Sequence, residues 1–133
     1  MIIRNLLLLI FSVFLLAGCS TSIGYQTVNT TDENEQQAET LLKDDPRIKN
    51  AVLLIHDDRL LAGLRVKTFD RFKKRSIAEE LTKELEEMYP DLAVTVSADS
   101  KVLLETHKLI EKKNEQNYLK KMKKISALVK EET

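Results

Sequence analysis

Glycine, proline, histidine and cysteine are all scarce in this chain: three, two, two and one among 133 residues. Each shortage excludes a class of chemistry. One of the glycines, Gly18, sits in an N-terminal apolar segment, so too few remain to build a glycine-rich phosphate-binding loop. The single cysteine, Cys19, permits no intrachain disulfide. His56 and His107 lie far apart along the chain, and two imidazoles do not close a zinc site. No serine stands in a nucleophile-elbow pattern. Basic and acidic side chains balance at 21 each, which removes any general affinity for nucleic acid. The apolar stretch Leu6 to Ala17, interrupted only by Ser12, is too short to span a bilayer comfortably as a helix.

That stretch has another reading. Arg4 precedes it, and small residues close it at Leu16-Ala17-Gly18-Cys19. A charged start, a short apolar run and a small-residue cut site make a secretory signal, residues 1–18. An ordinary signal needs no cysteine after the small residues. Leu-Ala-Gly-Cys matches the bacterial lipobox, in which the cysteine sulfur takes a diacylglycerol and the chain is cut before Cys19. A thiol suits this transfer because it ionises well below a hydroxyl. Each buried acyl methylene contributes about 0.8 kcal/mol, and two or more chains, palmitate among them, anchor stably. The expected partner at Cys19 is therefore membrane lipid, on the extracytoplasmic face. With that thiol consumed, no catalytic cysteine remains.

Cleavage leaves 115 residues, enough for one small domain. Their charge is uneven. Residues 19–58 carry 3 basic and 8 acidic side chains, residues 59–100 carry 8 of each, and residues 101–133 carry 9 basic and 5 acidic. The chain runs from an acidic start to a basic end.

Residues 19–31 are polar and read as a flexible tether. Residues 32–112 read as an α/β domain, and residues 113–133 as a basic helical tail. A first helix is expected over 32–43, with Thr30 and Glu33 as a capping box and Asp44-Asp45-Pro46 as its stop. Ala51-Val52-Leu53-Leu54-Ile55 is a short apolar run and reads as a strand. Leu60 to Thr68 alternates and reads as a half-buried strand, paired with the first as a hairpin. Ile77, Leu81, Leu85 and Met88 recur at helical spacing, with Ser76 and Glu79 as a second capping box. Leu92, Val94 and Val96 mark a third strand. Asp99 or Ser100 caps a final long helix, on which Tyr118, Met122, Ile125 and Val129 form a narrow seam. That seam is either a second packing face or a surface for a partner. The expected fold class is α+β: a small three-stranded sheet, helices packed on one face, in α-β-β-α-β-α order with a long C-terminal helix.

This order downstream of a lipobox resembles the YhcN/YlaJ-type sporulation lipoprotein family of spore-forming bacteria. Four pieces carry the resemblance over about residues 35–110: Ile48-Lys49-Asn50-Ala51-Val52, Leu61-Ala62-Gly63-Leu64-Arg65-Val66, the amphipathic helix, and Val94-Thr95-Val96-Ser97-Ala98-Asp99. The last is the most specific. Strand two lacks the aromatic often seen in that family, and His56-Asp57-Asp58 replaces a more neutral turn. The resemblance implies a lipoprotein of the spore membrane, with a role in spore formation or germination and a protein partner in the spore envelope. It implies no catalytic residue and no cofactor. The topology also looks like small ring-building domains, which makes an oligomeric envelope scaffold the first alternative. A small envelope hydrolase or metal-dependent enzyme is the second.

Three clusters carry charge chemistry. His56, Asp57 and Asp58 have metal-ligand types, but adjacent turn residues rarely converge on one ion, and a solvated turn is the expectation. Glu79, Glu80, Glu84, Glu86 and Glu87 read as the wet face of a helix rather than as catalytic carboxylates. Arg71, Lys73, Lys74 and Arg75, with Lys112, Lys113, Lys120, Lys121, Lys123 and Lys124 of the tail, form the basic set. At an anionic bilayer each could contribute about 1 kcal/mol. Contact with a membrane surface or an acidic partner therefore stands beside the plainer reading of a solvated helix face.

Overall fold

The computed structural model describes residues 2–7 and 23–131. The lipobox, with Cys19, lies outside the described residues, as does the start of the expected tether. Residues 2–7 are helical. The domain then runs β1 (Tyr25–Asn29), α1 (Gln36–Asp44), β2 (Ile48–His56), β3 (Arg59–Val66), α2 (Lys74–Met88), β4 (Ala93–Ser97), α3 (Ser100–Glu111) and α4 (Tyr118–Glu131). Short 3₁₀ turns at Thr68–Lys73 and Glu115–Asn117 lead into α2 and α4.

The sheet has four strands in the order β1-β2-β3-β4, which corrects the expected three. The extra strand comes from the stretch read as tether. Its residues, Tyr-Gln-Thr-Val-Asn, are mostly polar and only partly buried, so no apolar run marks it. It forms because β2 offers a free edge: Tyr25 to Asn29 pair in parallel with Ala51 to Ile55. β2 and β3 form the expected antiparallel hairpin, and β4 adds in parallel to β3. Two β-α-β units thus meet at the β2–β3 hairpin.

Helices cover both faces of this sheet, not one. The reason lies in the two central strands. Along β2, Ala51, Leu53 and Ile55 point to one side, and Val52 and Leu54 to the other. Along β3, Leu60, Ala62 and Leu64 share the first side, and Leu61 the second. A near-continuous apolar run is what a doubly covered strand requires. The first side packs on Ala38 and Leu42 of α1 and Ile77, Ala78, Leu81 and Leu85 of α2. The second packs on Val102, Leu103, Leu109 and Ile110 of α3 and Tyr118, Met122 and Ile125 of α4. The Tyr118–Val129 seam is therefore a packing face. The expected half-buried β3 is buried on both sides, and Gly63, placed on its wet face by alternation, lies under α3.

The helix ends differ from expectation in instructive ways. α1 starts at Gln36, and Thr30 and Glu33 form no capping box. Its N-cap, Glu35, makes no side-chain cap bond. Instead the buried Tyr89 hydroxyl accepts from the Ala38 N–H at 3.3 Å and donates to the Asn34 carbonyl at 2.5 Å. A distant side chain thus supplies the partner that a local cap lacks. α2 begins at Lys74, three residues before the expected Ile77, because the 3₁₀ turn runs directly into it. Asp99 caps α3 as expected, its carboxylate accepting from the Lys101 N–H at 2.8 Å. The C-terminal helix is present, but the chain first breaks after Glu111 and turns through Lys113 at φ 52°.

Two contacts set how tightly these layers close. A Cβ built on Gly63 would lie 2.7 Å from the Leu103 Cα, so the α3 backbone rests directly on β3. At the opposite face, Asp45-Pro46 turns the chain from α1 into β2. The Asp45 carboxylate takes Arg47 Nε at 3.0 Å and an Arg47 terminal nitrogen at 2.7 Å, while the other terminal nitrogen of Arg47 reaches Glu80 of α2 at 2.8 Å. The Arg47 guanidinium holds the Asp45 carboxyl below its usual range, with burial opposing the shift.

Two outcomes follow from this packing. Gly63→Ala forces α3 off the sheet and should lower stability by about 1–3 kcal/mol in urea unfolding; an unchanged midpoint would mean α3 does not rest on β3. Asp45→Asn keeps the turn acceptor but loses the charge, and should cost about 1–3 kcal/mol at neutral pH. A lowered folded-state pKa contributes stability above the unfolded value near 4, lost as pH falls through the folded value. The gap between the two proteins should therefore close only in acid below about pH 4. A gap independent of pH would assign the effect to shape alone.

Candidate functional site

The seam of α4 turns inward, and this decides where its lysines go. With Tyr118, Met122 and Ile125 buried, Lys120, Lys121 and Lys124 are left at the flank of the helix facing α3. On α3 the buried set is Val102, Leu103, Thr106, Leu109 and Ile110. Lys101, Lys108 and Lys112 recur at spacings of seven and four, so they share one face of that helix. The two faces meet in a groove of about 640 Å³ lined by Lys101, Lys108, Lys112, Lys120, Lys121 and Lys124, with Glu105 as its carboxylate. Leu109, Ile125 and Leu128 supply apolar lining.

This groove gathers four of the expected basic set, Lys112, Lys120, Lys121 and Lys124. Lys123 is exposed and lies outside its lining. Arg71 and Lys73 belong elsewhere, on the 3₁₀ turn before α2. Lys74 and Arg75 line a separate cleft of about 450 Å³ with Lys130, beside residues 94–99 at the free edge of β4. The basic set read as one group in sequence is therefore split among the α3–α4 groove, the 3₁₀ turn and the cleft beside β4. Lys101 and Lys108 were not expected in it. Their helical spacing with Lys112 was available in sequence, but only the fold brings them against α4.

Like charges gathered so closely repel. Two unit charges 4 Å apart in water interact by about 1 kcal/mol, and 0.1 M salt screens them over about 10 Å. A bound polyanion would relieve several such pairs together, while the apolar lining could take up methylene or aromatic groups of the same ligand. The groove suits an acidic segment with some hydrophobic side chains.

The histidines do not converge. The His56 ring sits at the end of β2, with Thr30 Oγ1 at 2.6 Å from its Nδ1 and Tyr118 edge-on at 5.4 Å. His107 on α3 reaches Gln26 of β1 at 3.0 Å and Glu111 at 2.9 Å, which ties the edge strand to the second helical layer. Among the described residues, no group of three or more histidine, cysteine, aspartate or glutamate side chains is placed to hold a metal ion. Asp57 occupies the left-handed region at φ 55°, as the hairpin turn requires. Among the described residues, no helix is long and apolar enough to cross a membrane.

A polyanion should report on the groove directly. Poly-L-glutamate at low salt should raise the unfolding temperature, and the gain should fade as salt is added. The double substitution Lys120→Glu with Lys124→Glu should abolish it while the protein stays folded. A gain that survives both the salt and the substitutions would place anion binding at another surface.

No protein-family model, no curated protein and no solved structure matches this chain.

Proposed function

We propose that this protein is a non-enzymatic lipoprotein of a spore-forming bacterium, tethered by lipid on Cys19 to the outer face of a membrane. It serves sporulation or spore germination by binding an acidic protein partner in the envelope. The observation that carries the binding role is the α3–α4 groove, where six lysines face a single carboxylate over an apolar lining. The anchor rests on Leu16-Ala17-Gly18-Cys19, and the sporulation role on the resemblance to the YhcN/YlaJ-type family.

A second reading is favoured by one feature. β4 is an edge strand with an open cleft along residues 94–99. An extended segment of another copy could pair there, as in an oligomeric scaffold. Sedimentation across a range of concentrations separates the two, since the scaffold requires assembly and the tethered binder requires none.

Fractionation tests the primary reading. Membranes of growing cells and of purified spores are probed for the wild-type chain and for Cys19→Ala. Membrane-bound protein confined to spores, with Cys19→Ala released, is the expected result. Equal abundance in growing cells would remove the sporulation role.

A further inference from the structure

Phe69 and Phe72 are 97% and 98% exposed, the two most exposed large apolar side chains among the described residues. Both lie on the 3₁₀ turn Thr68–Lys73. A 3₁₀ helix has three residues per turn, so side chains at i and i+3 eclipse. The two rings therefore project from the same side. Arg71, Lys73, Lys74 and Arg75 lie next to them along the chain, all exposed. None of the ion pairs among the described residues involves Arg71, Lys73 or Lys74. Asp70 is the one acidic group on the turn, and it is partly buried. α2 follows with no acidic residue in its first turn, where the helix dipole favours negative charge. Soluble domains seldom present two bare phenyl rings inside a cationic collar, but an anionic bilayer interface matches both parts.

The position of the turn strengthens the match. β1 and β2 run in parallel, so both begin at one end of the sheet; β3, antiparallel to β2, finishes there. At this end the Gly24 carbonyl accepts from the Ala51 N–H at 3.1 Å, and the buried Asn50 side chain accepts from the Gly24 N–H at 3.1 Å. Ile48 pairs with Val66, and the Lys67 N–H donates to the Arg47 carbonyl at 2.8 Å, which roots the aromatic turn beside the start of β2. The chain thus enters the sheet at the end that carries Phe69 and Phe72. Two strand spacings, about 10 Å, separate β1 from β3. Three residues lie between Cys19 and Ile23, a covalent reach of at most about 14 Å. A lipid on Cys19 would hold this end of the domain near the bilayer.

We propose that Phe69 and Phe72 insert into the interface of an anionic membrane, with Arg71, Lys73 and Lys74 on lipid phosphates. The tether brings this end to the bilayer, and the turn fixes the angle at which the domain stands. This rests on the lipid-anchor reading for its geometry but makes a separate, measurable claim about the turn.

The chain contains no tryptophan, so one introduced indole reports its own site. Phe72→Trp keeps the apolar wedge, and Asp91→Trp places a control in the exposed turn before β4, at the opposite end of the sheet. Each full chain is reconstituted into vesicles of phosphatidylglycerol and phosphatidylcholine carrying bromine on the acyl chains. Docking requires blue-shifted emission and strong bromine quenching for Phe72→Trp, and water-like, unquenched emission for Asp91→Trp. Lys73→Glu with Lys74→Glu in the Phe72→Trp background should cut the quenching at least severalfold. Equal, water-like emission from both reporters on bound vesicles would overturn the proposal. So would a blue shift without bromine quenching, which would put the rings against a second copy of the chain. Mass spectrometry of the same samples reads the anchor independently. Diacylglycerol on Cys19 with an unquenched Phe72→Trp reporter refutes docking alone. An unmodified Cys19 with a quenched reporter refutes the anchor and supports docking.

Discussion

Everything in this domain depends on two adjacent strands that are apolar on both sides. β2 and β3 bury Ala51 to Ile55 and Leu60 to Leu64 almost completely. A fully buried aliphatic side chain contributes about 1.5–3 kcal/mol, so leaving either face of the hairpin wet would forfeit much of the stability of a small domain. The chain solves this with two helices per face. α1 and α2 come from the two parallel crossovers, and α3 and α4 close the remaining side. Gly63 lets the second layer sit close, since any side chain there would strike the backbone of α3.

The functional surfaces are consequences of that closure. Because the apolar side of α4 is spent on the sheet, its lysines line the flank, and α3 presents a matching row. Because β1 and β2 run in parallel, the start of β1 and the aromatic turn share one end of the sheet. The groove lies along the helices of the second face, while the turn and its neighbouring cations occupy the end at which β1 begins. A domain held by that end would keep the groove alongside it free for a partner. The local electrostatics are compatible with this division. Asp45 and Glu80 engage Arg47 and so hold the root of the aromatic turn.

Much of the element order was legible in sequence because periodicity is a local property. The hairpin, the amphipathic α2, the β4 alternation and the Asp99 cap all follow from patterns within a few residues. β1 was not legible, since Tyr-Gln-Thr-Val-Asn has neither an apolar run nor a clear period, and its strand state comes from pairing with β2. The cap of α1 was equally hidden, because Tyr89 lies 51 residues from the N–H it accepts. The alternation along Leu60 to Thr68 suggested a wet face for β3. The unbroken run from Leu60 to Leu64 was the better guide, since helices packed on both sides of the sheet leave no wet face there.

The features legible without any tertiary contact are covalent and local: a single cysteine that permits no intrachain disulfide, the helix and strand periods, and a chain that grows more basic toward its end. These need no partner across space. The tertiary structure decided which lysines stand together, that Phe69 and Phe72 lie at the end of the sheet where β1 begins, and that the Tyr118–Val129 seam is spent on the core. Each of these is a statement about residues far apart in the chain. Each was settled by the same requirement, that both faces of one apolar hairpin be removed from water.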